Sequence, residues 1–391
     1  LSTWDPYDKN RSAEFFDAEW MFGIKDGFDV VIGNPPYIRR TAINENLKKK
    51  YEKVFESTTK QYDMYLLFIE KGVKSIKIGG YLAFINPIRF FNSDYGLGCR
   101  KFLINNHKIK SILDISQLPV FLNAMTYPCV LIVQNGMENN KKNAIEYKRL
   151  NNLNELNFLN QIESLKILQS EIMNDNDCKI IVDVNPKLKS VIAKMDSYKK
   201  IKEFFLIARG LANNKVNFDG NKYKALKSTN VRKYFIEGEL KNIDTDFADV
   251  FNQEMIILPR TVAYLQAMLK EKEIICLDRI YYLIPNSECN LNFILGILNS
   301  KLTNTWFEYY YNTTKVSGNY FDLNGNQIGS IPIPTATKEQ QKEIITLVDK
   351  ILAAKKADSS TDTTEWEKQI DQKVYELYGL TEDEIAIVEG R

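Results

Sequence analysis

The apolar run Phe28-Asp29-Val30-Val31-Ile32-Gly33 ends abruptly in Asn34-Pro35-Pro36-Tyr37, and this junction constrains the chain more than any other feature. A short β-branched run closed by a turn reads as a buried strand. Two consecutive prolines fix the backbone of that turn and remove its donors. They leave the Asn34 side-chain oxygen and the Pro35 carbonyl as acceptors in a stiff frame, with the flat ring of Tyr37 beside them. Such a frame suits an exocyclic amino group on a base turned out of its stack. The lone pair of that nitrogen is delocalised into the ring and attacks poorly. Two acceptors on its two N–H groups draw the lone pair out of conjugation and aim it at an electrophilic methyl group. No ionised base is required, because the proton becomes acidic only after methylation.

The segment resembles motif IV of the γ-class amino-methyltransferases, the group that holds the N6-adenine DNA methyltransferases. Tyr62-Asp63-Met64-Tyr65-Leu66-Leu67-Phe68-Ile69-Glu70 resembles the helix that follows this motif, with positions 64, 67, 68 and 71–73 on one face. Gly79-Gly80-Tyr81-Leu82-Ala83-Phe84-Ile85-Asn86-Pro87 resembles the next strand. Val120-Phe121, upstream of Tyr127-Pro128-Cys129-Val130-Leu131-Ile132-Val133, resembles motif VIII, where an aromatic residue packs on the target base. The resemblance therefore implies Asn34, Pro35, Pro36 and Tyr37 as the catalytic turn and Phe121 as a second wall of the base pocket.

Enzymes of this class hold S-adenosylmethionine on a glycine-rich turn upstream of motif IV. Residues 1–33 contain Gly23, Gly27 and Gly33 but no Gly-x-Gly, and Gly96-Leu97-Gly98 lies downstream and lacks the third glycine. That pattern is expected to shape the loop before a helix at 99–106. Trp4-Asp5-Pro6-Tyr7 and the stretch 15–23 resemble the connector before motif IV in long fused restriction-modification proteins. The expectation is a C-terminal fragment of such a protein. S-adenosylmethionine would be the cofactor of the whole, none would bind this fragment, and the missing N-terminal part of the same polypeptide would be a partner.

Composition narrows the alternatives. A chain of 391 residues with 44% hydrophobic and 26% charged residues can build two or three ordinary cores. No apolar stretch has the length of a membrane span, so no membrane partner is expected. Five cysteines without Cys-x-x-Cys spacing read as reduced thiols of a cytoplasmic protein, and no metal site is expected. With His107 as the only histidine, serine-triad and histidine-metal chemistry are excluded. His107 itself reads as a surface residue at a helix end.

Charge is concentrated. Between Lys199 and Lys233 ten Lys or Arg face two acids, a net of +8 in a chain of +2 overall. Such local density with interleaved amides and aromatics is a footprint of phosphate binding, here to double-stranded DNA. Lys215, Lys222, Lys224, Lys227 and Lys233 are the expected phosphate contacts. Arg209, Arg232 and Arg260, with Asn213 and Asn214, are the expected base readers. Arg39 and Arg40 beside the turn, and Lys315, complete the candidate DNA contacts. Leu206-Ile207-Ala208-Arg209-Gly210-Leu211 resembles the start of a target-recognition domain. The succession 295–300, 306–307 and Gly329-Ser330-Ile331-Pro332-Ile333-Pro334 resembles the C-terminal specificity domain of adenine methyltransferases and of type I specificity subunits.

The expected architecture is α/β. A partial doubly wound methyltransferase sheet at 1–135 is followed by a helical connector at 136–183, an α+β target-recognition domain at 184–334 and C-terminal helices at 335–391. Within the connector, Leu156, Leu159, Ile162, Leu165 and Leu168 suggest a helix near 154–172. Thr337 and Gln340 form a capping box that opens a long helix. The implied activity is site-specific adenine-N6 DNA methylation in a restriction-modification system of type IIG, the fragment alone being inactive. A non-catalytic DNA-binding module, or a methyltransferase of an RNA base or protein glutamine, is the alternative. No Pro-Asp…(Asp/Glu)-x-Lys cluster marks a nuclease here, so any restriction endonuclease lies outside these residues.

Overall fold

The computed structural model of the chain describes residues 17–59, 61–121, 127–136, 140–181, 187–286, 289–312 and 320–390, together with Asp8, Glu138 and Lys315. Trp4–Tyr7, Phe15 and Phe16 lie outside the described residues. The chain divides into two compact units, Leu1–Val182 and Asp183–Arg391.

The first unit opens with helix α1 (Ala18–Phe22), strand β1 (Phe28–Gly33) and helices α2 (Glu45–Val54) and α3 (Met64–Lys74). It continues through β2 (Ile76–Pro87), α4 (Leu97–Asn106), β3 (His107–Asp114), β4 (Pro128–Asn135), β5 (Ala144–Arg149), β6 (Leu165–Leu168) and α5 (Gln169–Met173). The six strands form one mixed sheet in the order β1-β2-β4-β3-β5-β6. β1 runs parallel to β2 and β3 parallel to β5, while β4 lies antiparallel between β2 and β3. Alternation sends Leu82 and Phe84 of β2 and Leu131 and Val133 of β4 to one face, where they are buried. Tyr65, Leu66 and Ile69 of α3 and Phe102 and Leu103 of α4 complete the same core. Gly72 lets α3 approach β2, since a Cβ there would stand 2.6 Å from the Leu82 side chain.

Several expectations change. Among the described residues β1 is an edge strand and not a buried one: it borders β2, and Ile32 is 79% exposed. In α3 Leu67, Gly72 and Val73 are buried as expected, together with Tyr65, Leu66 and Ile69, whereas Phe68 is exposed. The stretch 136–183 is not a helical connector, because β5 and β6 extend the sheet. The leucine spacing at 154–172 is divided between a 3-10 stretch, Leu153–Gln161, and β6, in which Leu165 and Ile167 turn inward. Asparagine bonds its own backbone readily and ends regular helix, which accounts for the break in this Asn-rich segment. His107 starts β3 and is buried with its ring centroid 4.7 Å from that of Phe102. Burial holds its pKa below the ordinary histidine value.

Two buried charges brace the segments that flank the sheet. Glu70 on α3 accepts from the backbone N–H of Glu56 (3.1 Å) and Ser57 (2.8 Å) and from Lys74 Nζ (2.6 Å). Arg100 on α4 donates to the carbonyls of Phe90 and Ser93, both at 2.6 Å, and to that of Asp177. The turn that follows β2 is thereby fixed.

The second unit begins with α6 (Leu188–Asp196), β7 (Phe205–Arg209), β8 (Tyr223–Leu226), β9 (Val231–Arg232), β10 (Phe235–Ile236) and β11 (Lys241–Ile243). There follow β12 (Met255–Pro259), β13 (Thr261–Val262), β14 (Met268–Lys270), β15 (Ile274–Cys276) and β16 (Ile280–Pro285). It closes with α7 (Leu291–Asn299), α8 (Lys301–Tyr311), β17 (Phe321–Asp322), α9 (Gly325–Gly329), α10 (Lys338–Ala357), α11 (Thr364–Leu377) and α12 (Glu382–Glu389). An antiparallel sheet β14-β12-β16-β7 packs on α7 and α8 through Ile256, Leu258, Leu283, Phe293, Ile297 and Trp306. Ile344, Val348, Ile370 and Val374 bring α10 and α11 into the same core. A smaller sheet, β11-β8-β15, lies over a separate cluster with Ile243, Ile275 and Phe251. Thr337 caps α10 by accepting from the N–H of Gln340, as its sequence requires.

Glu70→Ala would leave two backbone N–H groups without their acceptor inside the first unit. Chemical denaturation should show a loss of about 2–3 kcal/mol; a loss below about 0.5 kcal/mol would mean these bonds are not holding the α2–α3 segment.

Candidate functional site

The parallel register of β1 on β2 sets Gly33 opposite Phe84, so the chain leaves the sheet beside Ile85. Tyr37 OH donates to the Ile85 carbonyl at 3.0 Å, tying the turn to β2. Pro35 is buried, while Asn34 and Pro36 are exposed. The Asn34 amide makes no hydrogen bond among the described residues, so its oxygen is available to a ligand.

The ring of Tyr37 stands edge-on to Phe121 at 6.4 Å and to Tyr65 at 5.9 Å between centroids. Tyr65 is fully buried, and its hydroxyl shares a 3.0 Å hydrogen bond with that of Tyr95. Burial, with the Cys129 thiol nearby, pushes the Tyr37 phenol up to about 12, so it stays neutral. The turn and Phe121, far apart in the chain, are thus brought together. Tyr65 and Tyr95 behind Tyr37 were missed by sequence reasoning. The signal for Tyr65 is its place in the apolar helix at 64–74, beside the face expected to be buried.

Of the candidate DNA contacts, Arg39 is exposed, whereas Arg40 is bound to Glu52 at 2.9 Å. In the second unit several cations are held by carboxylates. Arg209 meets Asp278 at 2.8 Å, and Arg260 grips both oxygens of Asp322 at 2.8 and 3.1 Å. Arg232 pairs with Glu237, Lys233 with Glu367, and Lys315 with Glu308. Lys215, Lys222, Lys224 and Lys227 form no salt bridge among the described residues, and with Asn213 and Asn214 they are exposed. The charge window is also diluted in the fold. β11 runs back along β8, and the segment after Lys233 carries Glu237, Glu239, Asp244, Asp246 and Asp249 against Lys241 alone.

The Gly96-Leu97-Gly98 pattern is consumed by packing: a Cβ on Gly96 would fall 2.0 Å from the Phe90 carbonyl oxygen, and one on Gly98 2.8 Å from that of Ser57.

Comparison with known proteins places both units. Residues 4–121 match the Eco57I restriction-modification methylase family, and residues 216–333 match the TaqI-like C-terminal specificity domain. The chain joins an Eco57I-type methylase region to a TaqI-like specificity domain. A type II restriction enzyme and methyltransferase of Escherichia coli, RM.Eco57I, is 34% identical over 139 residues, 35% of this chain and 14% of that protein. A putative type II restriction enzyme and methyltransferase of Methanocaldococcus jannaschii is 24% identical over 314 residues, covering 73% of this chain and 25% of its own length. The chain thus spans a quarter or less of these relatives. Among solved structures, the type IIL restriction-modification enzyme MmeI in complex with DNA superposes with a TM-score of 0.61 at 14% identity, over 92% of this chain and 56% of that one. The nuclease-deletion mutant of the type ISP enzyme LlaGI in complex with a DNA substrate mimic gives 0.53 at 12% identity, over 84% and 35%. These two likenesses concern the fold.

In the methylase region, Tyr37→Phe keeps the ring and removes only its anchor on Ile85. Equilibrium unfolding should register a loss of about 1 kcal/mol. An unchanged midpoint would show that the hydroxyl bond does not hold the turn.

Proposed function

We propose that this chain supplies the base-binding and sequence-reading parts of a type II restriction-modification methyltransferase that methylates the N6 nitrogen of adenine in double-stranded DNA. The observation that carries this reading is the exposed Asn34 amide on a proline-stiffened turn whose Tyr37 ring stands against Phe121.

An adenine turned out of the duplex would place its amino group between the Asn34 side-chain oxygen and the Pro35 carbonyl. Both N–H groups then donate, and the nitrogen lone pair is freed from the ring. Tyr37 and Phe121 offer aromatic surfaces to the extruded base, and base–aromatic contacts of this kind are worth about 1–3 kcal/mol per base. Tyr37 stays neutral throughout, so it contributes surface and position and takes no proton.

The methyl donor in this reading is S-adenosylmethionine. Among the described residues no strand pairs with the outer edge of β1, and Val30 and Ile32 on one of its faces are exposed. An apolar edge of this kind favours a further strand laid against it. Duplex recognition is assigned to the specificity domain; the structures of MmeI and LlaGI it resembles are described with DNA. Taken alone, the chain would then act as a DNA-binding module, a second reading favoured by the packed glycines at Gly96 and Gly98.

The test incubates the full-length protein with duplex DNA and a labelled methyl donor, with nucleosides analysed after digestion of the duplex. The expected product is N6-methyladenine, and Asn34→Ala should abolish its formation while duplex affinity stays within about twofold. Near-normal turnover by Asn34→Ala, or methyl found on cytosine, would contradict the assignment.

A further inference from the structure

Most cations assigned to DNA contact in the specificity domain are tied to carboxylates, but one patch behaves differently. Around the small sheet β11-β8-β15, three lysines lie over aromatic rings instead. Lys241 Nζ is 4.2 Å from the Phe218 ring centre, Lys215 Nζ 4.7 Å from that of Phe247, and Lys222 Nζ 5.1 Å from that of Tyr223. None of the three forms a salt bridge among the described residues. A ring face holds an ammonium group in place without cancelling its charge. These lysines are therefore ordered and still cationic, the state that suits a phosphate contact.

The strand register adds a second observation. β11 pairs antiparallel with β8 so that Asn242 stands directly opposite Lys224. Both are exposed, and alternation places them on the face turned away from Ala225 and Ile243, which are buried. β11 is the edge strand, so this face is open on one side. The turn before β8 is rigid: Asp244 Oδ1 accepts from the N–H groups of Asn221 (2.9 Å) and Lys222 (2.8 Å), and Thr245 Oγ1 donates to the Lys215 carbonyl (2.8 Å). Asp244 is thereby engaged in holding the ribbon, and the exposed acids Asp219 and Asp246 lie in the flanking turns.

We propose that the β8–β11 ribbon enters the major groove of duplex DNA, with Asn242 and Lys224 on adjacent base edges and Lys215 and Lys222 on the bordering phosphates. This rests on the DNA reading above and names the residues that carry it out. A major groove about 12 Å wide admits a two-stranded ribbon. Directly opposed side chains start about 5 Å apart, and stacked base pairs are about 3.4 Å apart, so one cross-strand pair spans one step. Asparagine fits adenine through N6 and N7, and lysine fits guanine through O6 and N7.

The test measures binding of the full chain to a randomised duplex library over a range of salt concentrations, with melting curves confirming that each variant is folded. Asn242→Ala should lose base preference at one position by about ten- to a hundredfold, and Lys224→Ala at the neighbouring position. Asn242→Asp, which only accepts, should move preference at its position from adenine towards cytosine. The combined change Lys215→Gln and Lys222→Gln should weaken binding to all sequences and reduce the salt slope by about 2 units. An unchanged slope in that variant overturns the phosphate roles. A changed slope with base preference intact in the Asn242 and Lys224 variants overturns the reading roles. Absence of duplex binding by the unaltered chain would overturn the DNA reading itself, and the ribbon with it.

Discussion

The methylase region depends on the parallel pairing of β1 with β2. With Gly33 opposite Phe84, the chain emerges where Tyr37 can reach the Ile85 carbonyl. A slip of one residue would reverse the faces of β1 and carry the turn away from that oxygen. The close approach of α3 over Gly72 supports β2 from behind and brings Tyr65 under the ring of Tyr37. Tyr37 in turn meets Phe121, so the aromatic cluster at the turn is built on one strand register and one hydroxyl.

The specificity domain obeys a different constraint, the disposition of its cations. Arginines that could grip a base bidentately are already gripping carboxylates, as Arg260 does with Asp322. Half-exposed pairs of this kind contribute little stability, but they fix side-chain direction and occupy the donors. Lys215 and Lys222 lie over rings without a salt bridge among the described residues, whereas Lys233 and Lys315 combine a ring with a carboxylate partner.

Much of the first unit was legible in sequence because its signals are local. The strand at 28–33, the stiff turn, the helix beginning at Met64 and the strand ending at Pro87 each occupy one short stretch. The exposure of β1 was not legible, since an apolar run looks the same whether its second neighbour is present or not. The regular leucines near 154–172 imitated a helix, and only the pairing of β6 with β5 shows that the inward residues there follow a two-residue period. Partners of the arginines were hidden for a simpler reason: Asp278 and Asp322 lie far along the chain, and no charge window brings them to Arg209 and Arg260. The same non-local folding brings the acids around β11 next to the lysines of β8.

The central claim is that the turn at Asn34–Tyr37 receives a base removed from the duplex stack. It is tested most directly by the fluorescence of 2-aminopurine placed at the target adenine when the protein binds. The account predicts a strong rise in emission as the base leaves its neighbours, and a further rise when Tyr37 and Phe121 are replaced by leucine and no longer quench it. Emission that stays at the level of the free duplex under saturating protein would contradict it.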